Sequence, residues 1–340
     1  MTATLEQPPA PPFEPDDVPR ELGTKRDVPD LAFRGIARTV GAVVLVVTGA
    51  IGIFLGYQMI PTLREYGVHF FTQNQWVPEQ NLLGIKEVLL GTVEVALIAL
   101  MFSFPLALLT ALYISEYAPS WLRGWLVAAV DLMAAIPSII YGLWGLLLIA
   151  PHALFVARFL NEYLGWIPIF AVHGGNPRAA TFAETRYGSS AFIAGMVVSM
   201  MGIPMGCAVM RGVFAQAPMG EREAALALGS TRWGVIRSVV IPFGRGGIIG
   251  GTMLALGRAL GETVAVYLIV SPDFDVKFRP LEIGTITTAS LIANFFGDAT
   301  KVQLSALLAA GFVLFVMTLV VNTFAAIIVN RSRSGAMTEI

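Results

Sequence analysis

Glu223-Ala224-Ala225-Leu226-Ala227-Leu228-Gly229, running on to Ile241-Pro242, is a polar-edged stretch between two long apolar segments. Alanine and leucine are strong helix formers, and Gly229 supplies a stop. Glu221 and Glu223 stand in the first turns, where acids favour the positive end of a helix. Ser230 or Thr231 can cap a second helix through Trp233, Val235 and Ile236, which the pattern ends at Pro242. Two short helices with a glycine between them make a knob protruding between two membrane spans. Its apolar side has nowhere to go except into a partner protein or back onto the span ends. On periodicity alone an ordinary packed loop is the competing reading.

Outward from that stretch the chain reads as membrane. Of its 340 residues 56% are hydrophobic and only 13% charged, which excludes an ordinary soluble domain. A net charge of -1 gives no reason to expect nucleic-acid binding. Cys207 stands alone and His69, His152 and His173 are scattered outside the expected spans, so neither a disulfide framework nor a metal centre is expected. A helix crossing the bilayer core needs about 20 mostly apolar residues. Six stretches qualify, at roughly 36–60, 88–113, 122–150, 189–210, 248–270 and 303–329. The interval 151–172 holds Arg158, Asn161, Glu162 and Pro168 among apolar patches, and is expected to be interfacial or re-entrant.

This gives an all-α integral membrane protein in three parts. Residues 1–35 form a Pro-rich, disordered tail without the pattern of a signal peptide. Residues 36–330 form the transmembrane domain, with an extracytoplasmic insertion at about 151–188 and the knob in a loop at about 212–245. Residues 331–340 form a short second tail. With six spans both ends and the knob share one side. That side carries Arg20, Lys25, Arg26, Arg34 and Arg38, then Arg123, then five arginines from Arg211 to Arg245, and Arg331 and Arg333. The opposite loops carry Arg64, Lys86, Arg158, Arg178, Arg186, Lys277, Arg279 and Lys301. The excess makes the first side cytoplasmic. Small residues four apart (Gly52/Gly56, Gly246/Gly250, Gly247/Gly251, Gly257/Gly261) suit close helix packing.

The spacing Glu223-Ala224-Ala225, three residues, Gly229, nine residues, Val239, then Ile241-Pro242 resembles the signature loop of ABC importer permeases. Three further runs carry the likeness to the permease of the Pst phosphate importer, PstC type. They are Ser115-Glu116-Tyr117-Ala118-Pro119, residues 134–145 from Ala134-Ala135-Ile136-Pro137 to Trp144-Gly145, and Gly257-Arg258-Ala259-Leu260-Gly261-Glu262-Thr263. The likeness covers about 88–270, with a looser match around Met201-Gly202-Ile203-Pro204 and an unusual charge at Glu94. It implies a six-span type I permease bundle with cytoplasmic coupling helices, Glu223, Ala224, Ala225 and Gly229 among the residues gripped by an ATPase. The implied partners are a related permease (PstA type), an ATPase dimer (PstB type) that binds ATP and Mg, and an extracytoplasmic phosphate-binding protein (PstS type). No Gly-x-x-x-x-Gly-Lys-Ser/Thr run occurs in this chain, so ATP chemistry has to come from a separate subunit. This chain is then a non-catalytic subunit of the bacterial plasma membrane without a cofactor of its own.

Arg258 lies about ten residues into the fifth expected span, some ~15 Å deep at 1.5 Å per residue. Glu262 follows one turn later, as if on the same helix face. Two charges at mid-membrane cost roughly 5–7 kcal/mol on the lenient insertion scale. An i,i+4 pair returns only about 0.3–0.5 kcal/mol. The pair must therefore face a watery path or a partner rather than lipid. Arg258 offers a planar fork suited to phosphate oxygens. Glu262 can accept a hydrogen bond from a protonated phosphate oxygen, which sulfate does not provide; a structural Arg–Glu pair is the alternative. Pro137 breaks the third span, and Ser138 beside it belongs either to the anion path or to a plain kink. Asp131 is a candidate partner for Arg258 in one conformation, and Glu94 is expected near the outer headgroups. Two rival functions stay open: a permease for another oxyanion such as molybdate or sulfate, and an ion-coupled secondary transporter using Arg258, Glu262 and Asp131.

Overall fold

The computed structural model describes residues 28–172, 187–274 and 278–332. The Pro-rich tail up to residue 27, His173, residues 173–186 of the expected insertion and the end from residue 333 lie outside the described residues. Among those described, six helical runs are long and apolar enough to cross a bilayer: Leu31–Tyr66, Lys86–Tyr117, Ser138–Leu164, Ala191–Phe214, Arg232–Gly261 and Lys301–Val329. This is an all-helical, multi-pass architecture, with a single two-residue hairpin as its strand content among the described residues.

Helix α1 (Val28–Tyr66) starts earlier than expected and runs through a division of the chain after Ile51. In the first unit every side chain from Leu31 to Ile51 is exposed. Its Thr39 and Thr48 hydroxyls donate back to the carbonyls of Gly35 and Val44, which hides their polarity in an apolar helix.

The second unit, from Gly52 onward, is the bundle. It continues with a one-turn helix α2 (His69–Thr72) and a hairpin of β1 (Trp76–Val77) and β2 (Leu82–Leu83), antiparallel with Trp76 opposite Leu83. Then come α3 (Lys86–Leu112), α4 (Ser120–Ala135), α5 (Ser138–Trp144) and α6 (Ala150–Leu164). After these follow α7 (Ala191–Phe214), α8 (Met219–Ala227), α9 (Arg232–Val235), α10 (Ile241–Gly261), α11 (Val264–Ile269), α12 (Thr288–Phe295) and α13 (Lys301–Ser332). Three π-helical turns, Tyr113–Tyr117, Gly145–Ile149 and Ile236–Val240, extend α3, join α5 to α6 and join α9 to α10.

Two of those turns explain departures from the sequence reading, while the break at Pro137 is as expected. The expected span at 122–150 is two pieces, because Pro137 has no N–H and forces Ile136 into an extended conformation, φ -67° and ψ 128°. Up to Leu164 the segment from 151 is regular helix. It is the second half of the run Ser138–Leu164, because Pro151 falls in the first turn after a π turn, where its ring and missing donor are absorbed. Pro242 likewise does not end a helix: it sits at the start of α10, just after the π turn Ile236–Val240. His152 consequently lies inside the helical run Ser138–Leu164, its Nδ1 2.6 Å from the Leu148 carbonyl. Glu94 is also displaced, being eight residues inside α3, or about 12 Å from its start at the helical rise.

The centre of the bundle is α7, packed against α3 and α10. Small residues set the spacing. A Cβ at Gly195 would meet Ile98 Cβ at 2.6 Å, and one at Gly251 would meet the Gly206 carbonyl oxygen at 2.9 Å. Gly247 presses on Val213, and Gly52 and Gly56 press on Phe315 and Phe312 of α13. Close backbone approach of this kind holds helices together where the solvent is as apolar as the core. Gly250 and Gly261 face open space instead, so the described residues cover α10 more on one side than on the other.

Candidate functional site

Two helix breaks lie side by side. Gly142 of α5 packs on Ala265 and Leu268 of α11, and Gly145 packs on Ile269, so the two half-helices run in parallel from adjacent starts. Ser138 is the first residue of one, and Glu262 and Thr263 precede the other. Broken helices leave backbone groups without partners, and each break is repaired locally. The buried Tyr141 donates its hydroxyl to the Met133 carbonyl at the end of α4, 2.8 Å away. Glu262 accepts from the Ala265 N–H at 3.4 Å and is itself buried, 8% exposed. Thr263 returns its hydroxyl to the Gly261 carbonyl.

Arg258 occupies the last turn of α10, just before the break, where a cation complements the negative helix end. It is half-buried and its field reaches Tyr141 on α5. Among the described residues no ion pair or hydrogen bond engages its guanidinium, and the Nε is buried without a partner. Buried donors are normally satisfied, and among the described residues this one is not. Glu262 is not its helical neighbour: α10 has ended, and the backbone at Glu262 is extended, which turns the carboxylate toward α11. Nor does Asp131 pair with it. Asp131 lies 3.5 Å from Arg211 in the last turn of α7, because α4 packs along α7. The structure therefore brings together Arg258, the Ser138 half-helix and Glu262, and leaves Asp131 in a different contact.

One residue the sequence reading passed over joins them. Asn322 of α13 is exposed, and a Cβ on Gly257 would lie 3.4 Å from its Oδ1. It lies ten residues before the end of α13, about 15 Å at the helical rise. A single amide deep in the apolar stretch between Gln303 and Asn330 is the signal that could have pointed to it.

At the far end of α10 from the break lies the knob. Helix α8 ends in a Schellman motif: the Ser230 N–H donates to the Ala225 carbonyl and the Gly229 N–H to that of Leu226. Gly229 takes φ +85°, a conformation only glycine adopts without cost. Thr231, rather than Ser230, caps α9 by accepting from the Gly234 N–H at 3.1 Å. No residue of α8 is fully buried, and Leu226, Leu228 and Trp233 are exposed at 50%, 88% and 56%, so the knob offers an apolar surface to something else. Glu223, Ala224 and Gly229 are exposed with them, whereas Ala225 packs on the bundle. Arg222 reaches inward, to Glu116 at 3.1 Å and to the Phe214 carbonyl at 2.6 Å.

The inner-membrane component of binding-protein-dependent transport systems is the family whose pattern the chain fits, over residues 103–334. The chain is similar to the phosphate transport system permease protein PstC of Xylella fastidiosa, at 38% identity over 92% of this chain and 96% of that one. It is similar also to PstC 2 of Mycobacterium tuberculosis, at 38% identity over 89% and 92%. In fold it resembles a chain of a bacterial alginate ABC transporter in complex with an alginate-bound periplasmic protein, with a TM-score of 0.53, 20% identity and coverage of 91% and 99%. With the half-helices, the knob and the small-residue bundle in the same chain, these likenesses leave one assignment: the chain belongs to the inner-membrane components of binding-protein-dependent transport systems, in the PstC branch of type I ABC permeases.

Proposed function

We infer that this chain is the permease subunit of an ATP-driven importer of inorganic phosphate, forming half of the translocation path. The observation that carries the anion assignment is the buried, unpartnered Nε of Arg258 beside two broken helices, in a chain of the PstC branch. An intramembrane charge facing such a break is suited to a substrate path. Arg258 presents its fork to the anion, Ser138 and the first amides of α5 line the approach, and Asn322 adds a neutral hydrogen-bonding group. Glu262 holds the start of α11 with one oxygen and accepts from a protonated phosphate oxygen with the other. Asp131, held by Arg211, lines the path nearer the knob.

The other half of the path is a PstA-type permease, and a PstS-type protein delivers phosphate from outside. A PstB-type ATPase dimer binds ATP and Mg and grips Glu223, Ala224, Ala225 and Gly229 from the cytoplasm, where both termini lie. Arg232–Gly261 is one continuous 30-residue run, so a displacement of the knob reaches Arg258 along roughly 40 Å of helix.

The test is uptake of labelled phosphate at low external concentration, in cells without their own high-affinity system. Wild type is compared with Arg258→Gln and Glu223→Ala at matched membrane abundance, with sulfate as competitor. Uptake that ignores sulfate, collapses in Arg258→Gln, and separates from ATP turnover in Glu223→Ala is the expected result. Absence of phosphate uptake by wild type sinks the substrate assignment, and normal transport by Arg258→Gln sinks the site.

A further inference from the structure

Arg222 and Glu116 are each on the wrong end of their own helix. Arg222 lies in the first half of α8, where the helix end is positive, and Glu116 lies in the π turn that finishes the run Lys86–Tyr117, where it is negative. Neither charge is left in water: their side chains are 17% and 11% exposed. Burial of opposite charges at disfavoured ends is costly unless they meet, and here they meet at 3.1 Å. The same guanidinium donates through Nη2 to the Phe214 carbonyl that closes α7. One side chain thus ties three elements: the knob helix, the end of the second span and the end of the fourth.

Little else holds α8 to those two spans. It has no fully buried residue, Ala225 is its partly buried contact with the core, and its other packing is to α9 and the following π turn. The far side of Arg222 meets α3 at a π turn rather than at regular helix. Such a turn holds one residue more than an α turn and can relax to it, which makes it a natural place for a helix end to shift.

We propose that Arg222 and Glu116 form the strut through which a displacement of the knob moves the second and fourth spans. They are positioning residues, distinct from the surface the ATPase grips. The proposal rests on the reading of the knob as the coupling surface. Without the strut, α8 still presents Leu226, Leu228 and Trp233, but its movement passes only along α9 and α10. Transport then loses the two spans that pack against α10 on its inner side.

The experiment is the number of phosphates imported per ATP hydrolysed, with the full complex in proteoliposomes. Arg222→Gln and Glu116→Gln should each lower that ratio by about tenfold or more, as loss of one member of a buried charge pair implies. Arg222→Lys should fall between, since an ammonium can serve Glu116 or the Phe214 carbonyl but does not fork to both. The double variant Arg222→Gln/Glu116→Gln should be no worse than the weaker single, as two members of one unit are. A wild-type ratio in either Gln variant overturns the proposal, and so do ATP hydrolysis and uptake falling in step, the mark of a general loss of structure. If a Gln variant does not assemble, Arg222→Lys decides: an intact ratio rejects the strut, a reduced one supports it. Failure of the underlying reading looks different, because Glu223→Ala would then also leave the ratio unchanged.

Discussion

Arg258 and Asn322 divide the work of an anion path in a way their chemistry makes testable. A guanidinium at the centre of a membrane helix costs roughly 2.5–3.5 kcal/mol on the insertion scale, and among the described residues nothing pairs with that of Arg258. Arg258→Lys keeps the charge but replaces a planar fork with a strongly hydrated point charge. Uptake at low phosphate should therefore fall to a level between wild type and Arg258→Gln, and initial-rate measurements over a range of concentrations check this. Asn322 should respond to charge more than to size. Asn322→Asp sets a carboxylate near Gly257, the residue before Arg258 in the chain, where it would repel the anion. Asn322→Ala removes only one neutral hydrogen-bonding group. Uptake should drop by about tenfold or more in the Asp variant and by a few-fold in the Ala variant, on the scale of a charged against a neutral hydrogen bond. Equal effects would place Asn322 in packing rather than on the path.

The helices are held by small residues whose two sides differ, and this yields a paired prediction. A methyl on Gly251 would sit 2.9 Å from the Gly206 carbonyl oxygen, whereas one on Gly250 meets nothing within this chain. Gly251→Ala must push α10 from α7, so detergent-solubilised protein should melt several degrees lower, on the scale of a 1–3 kcal/mol overpacking cost. Gly250→Ala should melt like wild type when the chain is alone, and fluorescence-detected thermal denaturation separates the two. How much of this was legible beforehand follows the range of the interactions. The knob was readable because Gly229 and Thr231 act within four residues of themselves. Gly247 and Gly251 were readable as packing residues through their spacing. Pro137, Pro151 and Pro242 were alike in sequence, yet one breaks a helix and two follow π turns, which depend on tertiary packing. The same limit hid the partner of Asp131: Arg211 stands 80 positions away, on a helix whose approach no local pattern encodes. Arg258 was legible as an anomaly of charge, while the release of Glu262 from its helix was not.

At the scale of the bundle from Gly52 onward, part of the proposed path borders a face that the described residues leave uncovered. Leu254 is 45% exposed, Gly261 meets open space, Arg258 is half-buried, and Asn322 of α13 is exposed near Gly257. Lipid is a poor neighbour for that face, because an arginine and an amide would be presented to hydrocarbon. A second permease is a good one, since two such faces enclose a polar path between them. The consequence is a trade of solitary stability against transport. Expressed without a partner permease, the wild-type chain should be turned over quickly in the membrane, and co-expression of a PstA-type partner should protect it. Replacing both polar groups, Arg258→Leu with Asn322→Leu, removes the penalty of facing lipid, so the solitary chain should persist longer than wild type in a pulse-chase experiment. The same double variant should assemble with the partner and import no phosphate. A double variant that is no longer-lived alone would mean that Arg258 and Asn322 already face protein within this chain, and the path would have to be sought on another side of α10.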